Sequence, residues 1–315
     1  MASQHDSQPL FFEGFWQHGD LKIGQFRKWL DLCIIVAESD WGLYPIAIDN
    51  TDPSDNDIIS DIDILGQDPE QVLPTGHYVI LNRETLRHVV AIQTPLNYFR
   101  RTASHSGTSS YGRGSSFKNR VRERDGRCVI TGNLVSDFSE NVFRAVHIFP
   151  IAHLNIWRQS GFESLVTDTG LRTGDAKIDS VQNGMLLRPD VHDLFDRHLI
   201  SINPDNGYMV TDFTKPGEFH GGRMYHARED GDSERPLDEL FRFHFLQAVL
   251  RNVRSIADDE LEGPDSDSGE EVDWHDVHSV RLDNPKLHKT ANGKARLETE
   301  LASKLNLLAF HQGTI

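Results

Sequence analysis

Three short stretches decide the fold of this chain: Ala145-Val146-His147-Ile148-Phe149-Pro150, Gln182-Asn183-Gly184-Met185-Leu186-Leu187 and Asp190-Val191-His192-Asp193-Leu194-Phe195-Asp196. The first is apolar and β-branched and is bounded by Pro150, which predicts a short strand over residues 145–151. In the second, Asn183-Gly184 reads as a turn dipeptide, and the apolar run behind it as a second strand. Pro189 and Asp190 then start a helix, with Asp190 as its N-cap. On that helix His192 and Asp196 are four residues apart and share a face. An imidazole and a carboxylate so placed can share a divalent cation, with His147 facing it across the hairpin.

Taken jointly, His147, Asn183 and His192 resemble the H…N…H signature of the HNH nucleases. The resemblance rests on the His-Ile-x-Pro tetrapeptide, the nine-residue step from Asn183 to His192 and the closing His-x-x-x-Asp. The lead-in Arg127-Cys128-Val129-Ile130-Thr131-Gly132 is similar to the subgroup of HNH domains common in fungal proteins. Residues 115–210 carry the likeness. It implies an α+β fold with a ββα-metal core, hydrolysis of phosphodiester bonds in DNA, and a divalent metal, Mg2+, Mn2+ or Zn2+. By that resemblance His147 takes a proton from the attacking water. Asn183 braces the loop opposite, and His192 with Asp196 holds the metal that stabilises the leaving oxygen. Arg144 or Arg188 contacts the scissile phosphate. One position departs from the pattern: Val146 stands where many HNH enzymes carry a metal-binding Asp or His.

Two readings from other classes compete. One is a non-catalytic nucleic-acid-binding or regulatory protein that retains the fold. The other is a structural zinc module built from His147, His153, His192 and Asp196, in which metal removal unfolds the chain.

Net charge is −16 over 315 residues, unusual for a nucleic-acid enzyme if it were evenly spread. It is concentrated: residues 258–276 hold ten acids with no Lys or Arg, whereas residues 100–128 hold eight Lys and Arg against Glu123 and Asp125. A local basic stripe is what phosphate binding requires, and the global sum reports mainly solubility. Within that stripe residues 117–124 predict a helix with Phe117 and Val121 on one face, and Lys118, Arg120 and Arg124 as cations for a phosphate backbone. The two cysteines, Cys33 and Cys128, form no Cys-x-x-Cys pair, which removes a zinc knuckle and fits a reducing compartment. No signal peptide or bilayer-spanning run is read, so the expectation is an intracellular protein of cytoplasm or nucleus, with no membrane partner.

Outside the central stretch, residues 1–100 read as a β-rich unit of its own, with strands near 43–48, 77–81 and 88–93. Residues 30–37 read as a strand or as the end of a helix begun at Gln25, and 51–71 as an acidic loop. A Ser/Gly linker follows over 101–116. The nuclease domain spans 117–256, with a helix over 152–160, short strands at 199–202 and 208–210, and a closing helix over 236–256. His198 falls at the end of the site helix, where an imidazolium would favour the helix dipole. Residues 257–292 read as an acidic disordered segment, and 293–315 as holding a short helix.

Overall fold

A computed structural model describes residues 15–47, 57–58, 60–99, 101, 113–135, 143–170, 173–225 and 232–254. The expected acidic segment, the terminal helix and most of the Ser/Gly linker lie outside these residues. Helices and small antiparallel sheets alternate along the described chain, an α+β arrangement.

The N-terminal part begins with α1 (Ile23–Cys33), which buries Ile23, Phe26, Trp29, Leu30 and Cys33 at helical spacing. The chain then extends at once into β1 (Ile34–Val36), so the ambiguous run 30–37 is both helix end and strand. β2 (Trp41–Ala47) is the centre of a three-stranded sheet, flanked by β3 (Asp57–Ile58) and β4 (His77–Asn82), while β5 (Ala91–Gln93) pairs with β1. The expected loop over 51–71 therefore holds β3 and a 3-10 turn at Ile64–Gly66, whose Asp63 side chain accepts from Leu65 N at 2.9 Å and Leu43 N at 2.8 Å.

The second part opens with α2 (Arg113–Asp125). It covers a two-stranded ribbon of β6 (Arg144–His147) and β7 (Gly184–Leu187), in which Val146 faces Met185 and His147 faces Gly184. The short helices α3 (Leu154–Gln159) and α4 (Phe162–Leu165) lie between the two strands in sequence. α5 (Pro189–Asp196) follows β7 directly. Its N-cap is Arg188, with Pro189 in the first turn and Asp190 after it, which corrects the expected Asp190 cap. A hairpin of β8 (Ile200–Asn203) and β9 (Met209–Asp212) and the long α6 (Asp238–Asn252) complete the fold.

Gly184 corrects a second expectation. Its φ is −131°, so the Asn183-Gly184 pair is no left-handed turn; Asn183 ends a 3-10 turn and Gly184 begins β7. What requires glycine is proximity: a Cβ there would lie 2.6 Å from a Val121 methyl and 2.8 Å from the Phe117 ring. The missing side chain lets α2 sit directly on the ribbon.

α6 ties the two parts together. Leu240 and Phe241 belong to the cluster that holds Phe117, Val146, Phe149, Met185 and Phe195. Ala248, Val249, Leu250 and Val253 belong to a second cluster, with Trp29, Leu30, Cys33 and Leu43. Residues 247–250 are buried consecutively, as in a helix covered on all sides rather than on one face. The described N-terminal residues thus share their core with α6.

Two histidines lie in this core. His244 is 1% exposed and stacks on Phe195 of α5 with centroids 3.6 Å apart. Its Nε2 donates to Phe195 O at 3.0 Å, which leaves Nδ1 to accept from Ser201 Oγ at 2.8 Å. His198, with φ of +54°, is 2% exposed and meets Tyr98 Oη through Nδ1 at 3.0 Å. Burial pushes both imidazoles well below their ordinary value near 6.5, reinforced by Arg101 at His198 and by His198 and then Arg101 at His244. His198 is therefore neutral and no partner of the helix dipole, contrary to expectation.

Below about pH 6.5 the unfolded chain takes up protons that the folded core refuses, so stability is full above that pH and falls as pH drops. The expected slope is roughly 1.4 kcal/mol per pH unit for each histidine. Urea midpoints measured between about pH 8 and 5 should be flat and then decline. His198→Asn, which tolerates the left-handed backbone, should halve the slope. An unchanged slope in that variant would show that His198 does not titrate on unfolding.

Candidate active site

His147 closes β6 and is half-buried, its side chain 19% exposed. Two neighbours fix its ring. Phe117 of α2 stacks on it at 4.0 Å with planes 3° apart, and Asp179 Oδ1 lies 3.1 Å from Nε2. A carboxylate at Nε2 selects the tautomer with its proton there and leaves the Nδ1 lone pair as the acceptor. Asp179 is itself held by its backbone N–H, which donates to Thr173 O at 2.7 Å.

Asn183 is fully buried, and its amide is saturated by main chain. Oδ1 accepts from Phe149 N at 2.8 Å, while Nδ2 donates to Phe149 O at 3.0 Å and Ile178 O at 2.9 Å. Its own carbonyl accepts from Ile148 N at 2.9 Å. Asn183 thus joins the turn after His147 to the segment that carries Asp179.

His192 and Asp196 meet on α5 as their spacing requires, with His192 Nε2 at 2.9 Å from Asp196 Oδ2. The other carboxylate oxygen faces Arg101 Nε at 3.0 Å. Arg101, 6% exposed at its side chain, also donates to Ile148 O at 2.5 Å and His147 O at 2.6 Å, with its guanidinium 5.4 Å from the Phe195 ring centre. Burial disfavours ionisation of Asp196, but the bond from His192 and the charge of Arg101 hold its carboxyl below the usual range.

The metal implied by the resemblance can be tested against these residues. Val146 is an apolar core residue at the position of the missing ligand, and among the described residues no group of three or more His, Cys, Asp or Glu comes together to hold an ion. Asp196, one of the two expected ligands, meets His192 through Oδ2 and has Oδ1 buried in ionic contact with Arg101 Nε at 3.0 Å, without a hydrogen bond. The set does not fit a protein-held divalent metal. The zinc-module reading fails on the same ground, and His153 is buried with its ring 5.8 Å from Phe99.

The cations expected to grip nucleic acid divide into two groups. Lys118 and Arg144 are exposed. Arg124 is not: its side chain is 1% exposed and all five N–H groups are bonded, to Asp125 and to the carbonyls of Val181, Gly184 and Glu234 at 2.6–2.9 Å. It is removed from the phosphate-binding set. Arg120 forms a two-pronged pair with Asp168 at 2.8 and 2.9 Å and reaches Glu234 at 3.3 Å. Burial works against the charge of Asp168, yet the bonds from Arg120, Gly170 and Ser180 hold its pKa at about 2. Arg188 pairs with Asp190 and lies 3.5 Å from Asn133. The basic helix therefore directs three of its arginines at the protein: Arg120 and Arg124 link α2 to residues 168–184, and Arg122 donates to Phe143 O at 3.3 Å.

Sequence reasoning missed Asp179, Phe117 as a stacking partner of His147, and Arg101. Asp179 lies four residues before Asn183 with no motif around it, and Arg101 stands unmarked within the basic run.

Residues 128–203 match the family model HNH_2, described as HNH endonuclease. The matched residues include both strands of the ribbon and α5, and the match supports a relation to the HNH family and, in general, nuclease chemistry. No curated protein and no solved structure matches the chain significantly.

The burial of Arg124 gives a direct test. Arg124→Met leaves Asp125 and three carbonyls without their donor, and should cost about 3–5 kcal/mol in urea unfolding. Lys118→Ala, at an exposed position, should change stability by no more than about 0.5 kcal/mol. Equal and small effects would put Arg124 back on the surface.

Proposed function

We propose that this protein is an endonuclease that hydrolyses phosphodiester bonds in DNA, with His147 as the general base. The observation that carries the reading is the His147–Asp179 pair at 3.1 Å, at a half-buried position within the residues that match the HNH model. The carboxylate fixes the ring, and Nδ1 accepts a proton from water as its oxygen attacks phosphorus. The bond from phosphorus to the leaving oxygen then breaks, that oxygen takes a proton from solvent water to leave as an alcohol, and His147 returns its proton to solvent. Asn183 supports this by holding the main chain of residues 148–149 against the Asp179 segment. Lys118 and Arg144, both exposed, are the cations of the expected set left available to backbone phosphates.

Nicking of supercoiled plasmid by the purified chain tests the assignment. His147→Ala should lower the rate by about two to four orders of magnitude with an unchanged urea midpoint, the typical worth of a general base. Asp179→Asn should lower it by less, because the base stays in place with weaker orientation. Cleavage by His147→Ala at the parental rate would sink the proposal.

DNA binding provides a second, independent prediction. Replacing Lys118 and Arg144 together by Ala should flatten the slope of log K against log salt by about two, on all sequences alike. No change in slope would remove both from the interface.

A further inference from the structure

The His192–Asp196 pair is where a metal is expected, and a different cation already neutralises the carboxylate. Both oxygens of Asp196 face side-chain nitrogens: Oδ1 lies 3.0 Å from Arg101 Nε, an ionic contact without hydrogen-bond alignment, and Oδ2 lies 2.9 Å from His192 Nε2. A histidine that donates from Nε2 to a carboxylate presents no lone pair there for a metal. Binding of an ion between these two residues would have to break the Asp196 contacts. It would then leave the Arg101 guanidinium, 6% exposed, without its counter-charge and beside a dication. Removing one partner from a buried ion pair is strongly unfavourable, because the other is left uncompensated. The guanidinium is also anchored independently of Asp196, through the carbonyls of His147 and Ile148 at 2.6 and 2.5 Å, so it cannot swing away at no cost.

We propose that Arg101 is the resident cation of this site: its guanidinium holds Asp196, Asp196 holds His192, and the pair binds no divalent metal. Arg101 and Asp196 are then positioning residues that fix the orientation and tautomer of His192. The same guanidinium ties both histidines of the motif to one point, His147 through its main chain and His192 through the carboxylate. The catalytic meaning of this arrangement rests on the endonuclease reading, but the binding claim does not.

The test measures Mn2+ binding to the full chain by the loss of the free-ion electron paramagnetic resonance signal, which requires no turnover. The acidic run at 258–276 gives the same background in every variant. Wild type, His192→Ala and Asp196→Asn should bind Mn2+ indistinguishably. Arg101→Gln, by releasing the carboxylate, should gain a site at least tenfold tighter than that background, and adding Asp196→Asn should abolish the gain. In nitrogen-15 NMR, His192 of the wild type should show the Nε2-protonated tautomer, unchanged by added Zn2+. One Mn2+ held by wild type and weakened tenfold by Asp196→Asn or His192→Ala overturns the proposal. So does a folded Arg101→Gln protein with no gain. If Arg101→Gln does not fold, the Asp196→Asn and His192→Ala comparison decides alone. Absence of plasmid cleavage would count against the endonuclease reading only, since none of these measurements depends on it.

Discussion

A guanidinium withdrawn from water must be given hydrogen-bond acceptors, and this fold is assembled around two of them. Arg124 bonds through all five N–H groups, to Asp125 and to three carbonyls that come from the turn before β7, from β7 itself and from the lead-in to α6. Arg101 gathers the carbonyls after β6 and the carboxylate at the end of α5. Apolar burial supplies most of the driving force, but it is non-directional. These two forks fix the register of strand, turn and helix, because a shift of one residue would leave a buried N–H or carbonyl without a partner.

The site follows from that register. Each histidine of the motif has a carboxylate at its Nε2, Asp179 for His147 at 3.1 Å and Asp196 for His192 at 2.9 Å. The two pairs differ in their backing. Asp196 has a buried arginine behind it, whereas Asp179 is 26% exposed at its side chain and is tethered through its own main chain. The two imidazoles are about equally exposed, 19% for His147 and 22% for His192, so the pairs are set apart by the buried arginine behind Asp196 and not by access to solvent.

Strands and helices were legible because they follow local rules. The apolar runs expected as strands at 145–151 and 185–187 hold β6 and β7, the first shorter than expected because the chain turns after His147; Pro189 marked the start of α5, and the apolar residues of α6 recur at three and four. The pairing of His192 with Asp196 needed only the helical repeat. What the sequence hid is tertiary. Arginines on α2 read as a solvated or phosphate-facing surface, because residue type does not tell an arginine that meets water from one that meets carbonyls. Arg101 and Asp196 are 95 positions apart, and Asp179 lies in an irregular turn with no periodicity to place it. Gly184 misled for a related reason: a turn dipeptide and a tight helix contact call for the same residue, and only packing tells them apart.

The position of Arg101 also bears on how far this domain can be treated as a portable module. Residues 128–203 contain both histidines, both carboxylates and Asn183, and would be the natural stretch to excise or to graft. Cut out, that segment would lose the ring stacked on His147, the donors to the Val181 and Gly184 carbonyls, and the counter-charge of Asp196, all of which enter from upstream. α6, which packs on β8 and stacks His244 on Phe195 of α5, enters from downstream. The recognisable motif is therefore not an autonomous unit. The chain on both sides, including residues with no recognisable signature of their own, is part of its architecture, and exchanging the motif between proteins would require exchanging that surround with it.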